Sequence, residues 1–123
     1  MDLKILNGTY KVLKLEAAAE WPKDIFSCEF YSVTKTEEEI SVIVSDEADI
    51  DSAYTEKDWK IIKIEGVLDF GLVGVLANIS RILADSGISI FAVSTYNTDY
   101  ILVKAERIDR AKEALADGGY NFK

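Results

Sequence analysis

The chain has 123 residues, with 22 Asp and Glu against 14 Lys and Arg, no histidine, and 49% hydrophobic content. This apolar share suits one ordinary domain or two very small ones and excludes a disordered chain. A net charge of -8 opposes binding to nucleic-acid phosphates or to an anionic membrane surface.

Cys28 is the single cysteine, so no disulfide can form within the chain, and a reducing cytoplasm is the expected location. Met1 to Leu15 is interrupted by Asp2, Lys4, Lys11 and Lys14, and no apolar run reaches the ~20 residues a bilayer-spanning helix needs. Neither a secretory segment nor a membrane span is expected.

Leu3 to Leu15 alternates apolar residues with lysines and reads as a β element broken by a tight hairpin turn at Asn7-Gly8, its second strand being Tyr10 to Leu15. Trp21-Pro22 ends any helical turn begun at Ala17 to Glu20. Ser27 to Val33 reads as a strand that places Cys28 as a buried structural thiol, with no base beside it to activate it. Thr34 to Glu39 reads as a polar turn or a short capped helix, since Thr36 and Glu39 have capping-box spacing, and Ile40 to Ser45 as the next strand. Asp46 to Asp51 holds four carboxylates without the glycine-centred pattern of a calcium loop, so a solvated linker is expected rather than a metal site.

Trp59-Lys-Ile-Ile-Lys-Ile64 repeats the residue types of Tyr10-Lys-Val-Leu-Lys-Leu15 at every position. The spacing from Trp59 to Asp99 exceeds that from Tyr10 to Glu39 by about the length of one helix, which suggests an internal duplication shortened in its first copy. The division expected is residues 1–55 and 56–123.

Gly66 to Val103 is the densest stretch. Leu72, Val75, Leu76, Ile79, Ile82 and Leu83 recur at helical spacing, with Asn78, Arg81 and Asp85 opposite, which predicts a helix of about four turns. Gly87 ends it, and two apolar strands flank Thr95 to Asp99. Asp109 is placed to cap a short helix through Ala116, Gly118-Gly119 ends that helix, and Tyr120 to Lys123 can add an edge strand. The second half is thus an α+β unit of β-α-β-β-α-β order.

Two places suit a ligand. The loop from Asp69 to Gly74, with Gly71 and a helix N-terminus, can present backbone N–H groups to an anion such as a carboxylate; glycines that merely turn the chain are the plainer account. Ser94, Thr95, Asn97 and Asp99 gather hydroxyls, an amide and a carboxylate at one turn, where Asp99 can pair with an ammonium or guanidinium group; satisfying turn backbone is their structural alternative. With no histidine, His-based triads and His-liganded metals are excluded, and no Walker or Rossmann signature is present, so neither catalysis nor a cofactor is expected. Ile88 to Tyr96 is apolar on both sides, which calls for a cover over Phe91 and Val93 from another unit or a second chain, and a homodimer is expected.

Gly74-Val-Leu-Ala-Asn-Ile-Ser-Arg-Ile-Leu-Ala-Asp-Ser-Gly-Ile-Ser-Ile90 resembles the helix and following strand of ACT domains, small regulatory modules that bind amino acids. Ser94-Thr-Tyr-Asn-Thr-Asp-Tyr-Ile-Leu-Val103 is similar to the subgroup with tandem ACT units that includes CASTOR-type arginine sensors. The resemblance implies ferredoxin-like units in tandem, the second complete and the first shortened, with antiparallel sheets and helices on one face. It implies amino-acid contacts at Gly71, Leu72, Val73, Thr95, Tyr96 and Asp99. Where many ACT domains carry Asp-x-Pro-Gly before the helix, this chain has Gly71-Leu-Val-Gly74, with Asp69 as the nearest acid. The expectation is an amino-acid-binding regulatory protein; the alternative is an interaction module that keeps the fold without a ligand.

Overall fold

The computed structural model describes residues 1–20, 28–66 and 74–123. Its elements in chain order are β1 (Asp2–Ile5), β2 (Tyr10–Glu16), β3 (Ser32–Lys35), β4 (Glu39–Ser45), β5 (Tyr54–Ile64), α1 (Val75–Asp85), β6 (Ile90–Ser94), β7 (Asp99–Lys104), α2 (Ile108–Asp117) and β8 (Asn121–Phe122), with a 3-10 turn at Ala105–Arg107. The fold is α+β, as the alternation of strand and helix periodicities predicts.

The chain forms two compact units. One comprises Met1–Asn7 with Lys60–Lys123, the other Gly8–Trp59. The first seven residues therefore group with the second half rather than with residues 8–55. The physical reason lies in β1, which pairs antiparallel with the end of β5, Leu3 opposite Ile64 and Ile5 opposite Ile62, and parallel with β8. Leu3 is thereby fully buried. The hairpin expected at Asn7-Gly8 does not form: Gly8 takes a left-handed φ of 78°, yet β2 pairs with β4 and with the start of β5 rather than with β1. A turn dipeptide sets the local bend and not the partner of the next strand.

In the split unit, made of the two chain ends, the strand order is β8-β1-β5-β7-β6, and the parallel β1–β8 pair makes the sheet mixed rather than antiparallel throughout. Both helices cover one face, where Leu3, Ile62, Ile64, Ile101 and Val103 from the strands meet Ile79, Leu83, Ala111 and Leu115. Of the stripe expected on α1, Ile79 and Leu83 are buried and Val75, Leu76 and Ile82 pack against the same core, while Arg81 and Asp85 are exposed. The helix is three turns long, starting after Gly74; Leu72 lies outside the described residues. It ends in a Schellman motif, with Gly87 at φ 74°, its N–H donating to the Ala84 carbonyl and Ile88 N–H to that of Leu83.

The second helix ends the same way through Gly119 and Tyr120. Its start differs from expectation: the 3-10 turn extends it upstream, so Arg107 is the N-cap residue, Asp109 sits inside the first turn, and no side-chain hydrogen bond caps the helix. A Cβ on Gly118 would lie 2.7 Å from Ile82 Cδ1, so the bare glycine permits the close approach of the helices.

In the inserted unit the order is β3-β4-β2-β5, with Leu13, Ile40, Val42, Val44 and Ile50 as its core. Thr36 does not begin a helix. Its Oγ1 accepts from the N–H groups of Glu38 and Glu39 at 3.1 and 3.2 Å, closing the β3–β4 hairpin with the bonds a helix cap would use. Cys28 lies in a bend ahead of β3, half-buried against the core. The 46–51 segment is more than a solvated linker, because Ile50 is buried and the Lys11 amine, 2% exposed, donates to the Ala48 carbonyl at 2.9 Å and to Asp51 Oδ1 at 3.4 Å.

Candidate functional site

The register of β6 on β7 places Ser94 opposite Asp99 and leaves Thr95 to Thr98 as the connecting turn. Thr95 and Thr98 close it reciprocally: Thr95 N–H and Oγ1–H donate to the Thr98 carbonyl at 2.8 and 2.9 Å, and Thr98 N–H donates to Thr95 Oγ1 at 3.3 Å. With its backbone bonded to Thr95, Thr98 turns its own hydroxyl inward and donates to the Ile64 carbonyl at 2.8 Å. Ile64 ends β5, and residues 67–73 follow it in the chain. The turn is therefore fixed to the last residue of β5.

Of the residues expected to bind a ligand, Ser94, Thr95, Tyr96, Asn97 and Asp99 share this turn. Ser94, Thr95, Tyr96 and Asn97 are exposed, Tyr96 at 81%, and Asp99 is half-buried. No hydrogen bond or ion pair joins the Asp99 carboxylate to a side chain among the described residues. Asp69, Gly71, Leu72 and Val73 lie outside the described residues. Gly74, at φ 85°, is the N-cap of α1; no side chain caps the helix there and its first turn holds no acidic residue.

Thr98 is the residue that reading the turn as a set of ligand-facing groups passes over. Its signal is the Thr95-x-x-Thr98 spacing, in which two hydroxyls span one four-residue turn. Among the described residues no group of three or more His, Cys, Asp or Glu could hold a metal ion. No helix among them is long and apolar enough to cross a membrane.

The model of the ACT domain matches residues 54–117, which hold both helices and the turn. This chain belongs to the ACT-domain family. The ferredoxin-like arrangement seen in the split unit is the fold of that family, here with β1 added between β5 and β8. Among curated proteins, this ACT-domain chain is 25% identical over 138 residues to cytosolic arginine sensor for mTORC1 subunit 1 of Bos taurus, an alignment covering 94% of this chain and 42% of that protein. The chain spans about half the length of the curated relatives it matches or less.

Among solved structures, protein Atu0741 of Agrobacterium tumefaciens superposes with a TM-score of 0.92 at 29% identity, covering 99% of this chain and 91% of that one. Aspartate kinase of Clostridium acetobutylicum, at 13% identity, shares the fold with a TM-score of 0.64 over 89% of this chain and 32% of the enzyme.

Proposed function

We propose that this ACT-domain protein is a non-catalytic, cytoplasmic amino-acid sensor whose ligand is held by the Ser94–Asp99 turn and the loop that precedes α1, with Asp69, Gly71, Leu72 and Val73 contributed by that loop. The observation that carries the reading is the Thr98–Ile64 hydrogen bond, which ties the turn to the strand end from which the loop departs. A half-buried carboxylate at Asp99, engaged by no described side chain, suits an ammonium or guanidinium group. The uncapped N-terminus of α1 suits the ligand's carboxylate, because its first N–H groups and the helix dipole favour an anion. Support also comes from the sequence likeness to the arginine sensor of Bos taurus.

The two halves of the chain are read as related copies on the matched sequences Tyr10 to Leu15 and Trp59 to Ile64. A homodimer is part of the proposal. Phe91 and Val93 share the sheet face away from the helices, and Phe91 remains 37% exposed on the edge strand. Regulation would follow from a ligand binding one arrangement of the protein more tightly than another.

Differential scanning fluorimetry against the twenty amino acids tests the sensor reading. One or a few should raise the melting temperature, and Asp99→Ala should abolish the rise while leaving the unliganded transition in place. A flat panel for the wild-type protein sinks it and favours an interaction module without a ligand.

A further inference from the structure

Charge is distributed unevenly along this chain. Gly8–Trp59 carries 13 Asp and Glu against 5 Lys and Arg, whereas the remainder carries nine of each sign. The whole net charge of -8 therefore belongs to the inserted unit. An open cleft of about 530 Å³ lies in this same unit, formed where the end of β2, the β3–β4 turn and the start of β5 converge. Its size falls in the range of small-molecule sites.

The lining combines three kinds of group. Glu16 and Glu38 supply carboxylates, Leu15 and Ala19 supply half-buried apolar wall, and Tyr54 supplies an aromatic ring that is 66% exposed. The ring already acts as a cation platform: the Lys14 ammonium stands 4.4 Å from its centroid. The floor is rigid. Ser52 Oγ donates to the Lys14 carbonyl at 2.7 Å and accepts from Tyr54 N–H at 3.0 Å, and Lys14 pairs with Tyr54 across the β2–β5 ladder.

We infer that this cleft is a second ligand site, for a small organic cation carrying a primary ammonium or guanidinium group on an aliphatic stem. A unit of net charge -8 concentrates cations near its surface, and a concave wall with two carboxylates and an aromatic face gives them a place to stop. The stem lies along Leu15 and Ala19. Lys14 is then a built-in competitor that occupies the ring when no guest is present and swings into solvent when one arrives. The cleft shares no described residue with the site proposed at Asp99, since its described groups all lie in the inserted unit.

Titration of the full chain with 1,5-diaminopentane at constant low ionic strength, followed by amide NMR shifts and calorimetry, tests the inference; uncharged 1,5-pentanediol is the control. Saturable shifts centred on Lys14–Glu16, Glu38 and Ser52–Tyr54 are expected for the diamine alone, with a dissociation constant of about 1 mM or tighter. Glu16→Gln combined with Glu38→Gln should weaken binding about tenfold. Lys14→Met should tighten it by removing the competitor, and Asp99→Asn should leave it unchanged. Shifts that never saturate, that spread over every acidic segment, or that centre on Thr95–Asp99 overturn the proposal. So does weakening by Lys14→Met, which would mean an anionic group of the guest sits on that lysine.

Discussion

The Thr98 hydroxyl reaches the Ile64 carbonyl across 34 positions of sequence and binds it at 2.8 Å. Thr98 is 4% exposed, so this donor and acceptor satisfy each other away from solvent. A hairpin turn of four residues has little to hold it in place by itself. Here one buried side chain fixes it to the end of a core strand.

Replacing Thr98 tests that anchoring. Thr98→Val keeps the shape and removes the donor, which leaves the Ile64 carbonyl unpaired and should lower unfolding stability by about 1–3 kcal/mol in urea titrations. Thr98→Ser restores most of the loss because the hydroxyl returns. Under the sensor reading, Thr98→Val also weakens the ligand-induced rise in melting temperature, although Thr98 itself faces inward.

The glycines around the helix ends divide into two kinds. Gly87 has nothing within 4 Å of a built Cβ but sits at φ 74°, so Gly87→Ala should cost about 1 kcal/mol through backbone strain alone, and Gly87→Asn less. Gly118 has a φ of -81°, which any residue adopts, and a neighbour at 2.7 Å from a built Cβ, so the cost of Gly118→Ala lies in displacing Ile82 Cδ1. Combining Gly118→Ala with Ile82→Val should then be less destabilising than the sum of the two single changes, whereas Ile82→Val should not rescue Gly87→Ala. Thermal denaturation of the six variants separates these outcomes.

Lys11 and Asp51 form an asymmetric pair. The lysine side chain is 2% exposed and the aspartate 73%. Lys11→Ala removes a buried stem and leaves the Ala48 carbonyl without its donor, for an expected loss of about 2–4 kcal/mol. Asp51→Ala removes a solvated partner at 3.4 Å and should cost under about 1 kcal/mol. Urea midpoints of the two variants check the ordering.

Tyr10 predicts an alkaline limb. Burial, followed by the nearby Glu29 carboxylate and Cys28, raises its phenol above the ordinary value of 10.0. The folded state therefore holds this proton more tightly than the unfolded state. Its contribution is fully present below pH 10.0 and is lost as pH rises from there through the folded value. Tyr10→Phe should flatten that part of the stability curve, as measured by urea midpoints taken at successive alkaline pH values. The edge-to-face packing on Phe30, with centroids 5.9 Å apart, survives the change.

Local signals placed most of the elements. The spacing of Val75, Leu76, Ile79, Ile82 and Leu83 located α1, because one helical face must meet a core whatever that core is made of. Gly87 and Gly119 marked both helix ends for an equally local reason, the need for a left-handed residue after the last turn. Gathering Ser94, Thr95, Tyr96, Asn97 and Asp99 at one turn was legible too, since hairpin geometry acts over a few residues.

Pairing was not local, and only the tertiary structure decided it. Asn7-Gly8 promised a hairpin, yet β1 found its partners in β5 and β8, more than 50 residues away. Thr36 and Glu39 suited either a polar turn or a helix cap, because the same amide-to-hydroxyl bonds serve both structures, and pairing of β3 with β4 selected the turn. The carboxylate-rich 46–51 segment read as a solvated linker, yet its Ala48 carbonyl receives the buried Lys11 amine. A residue type fixes what bonds a group can make; burial by distant segments decides which of them it must make.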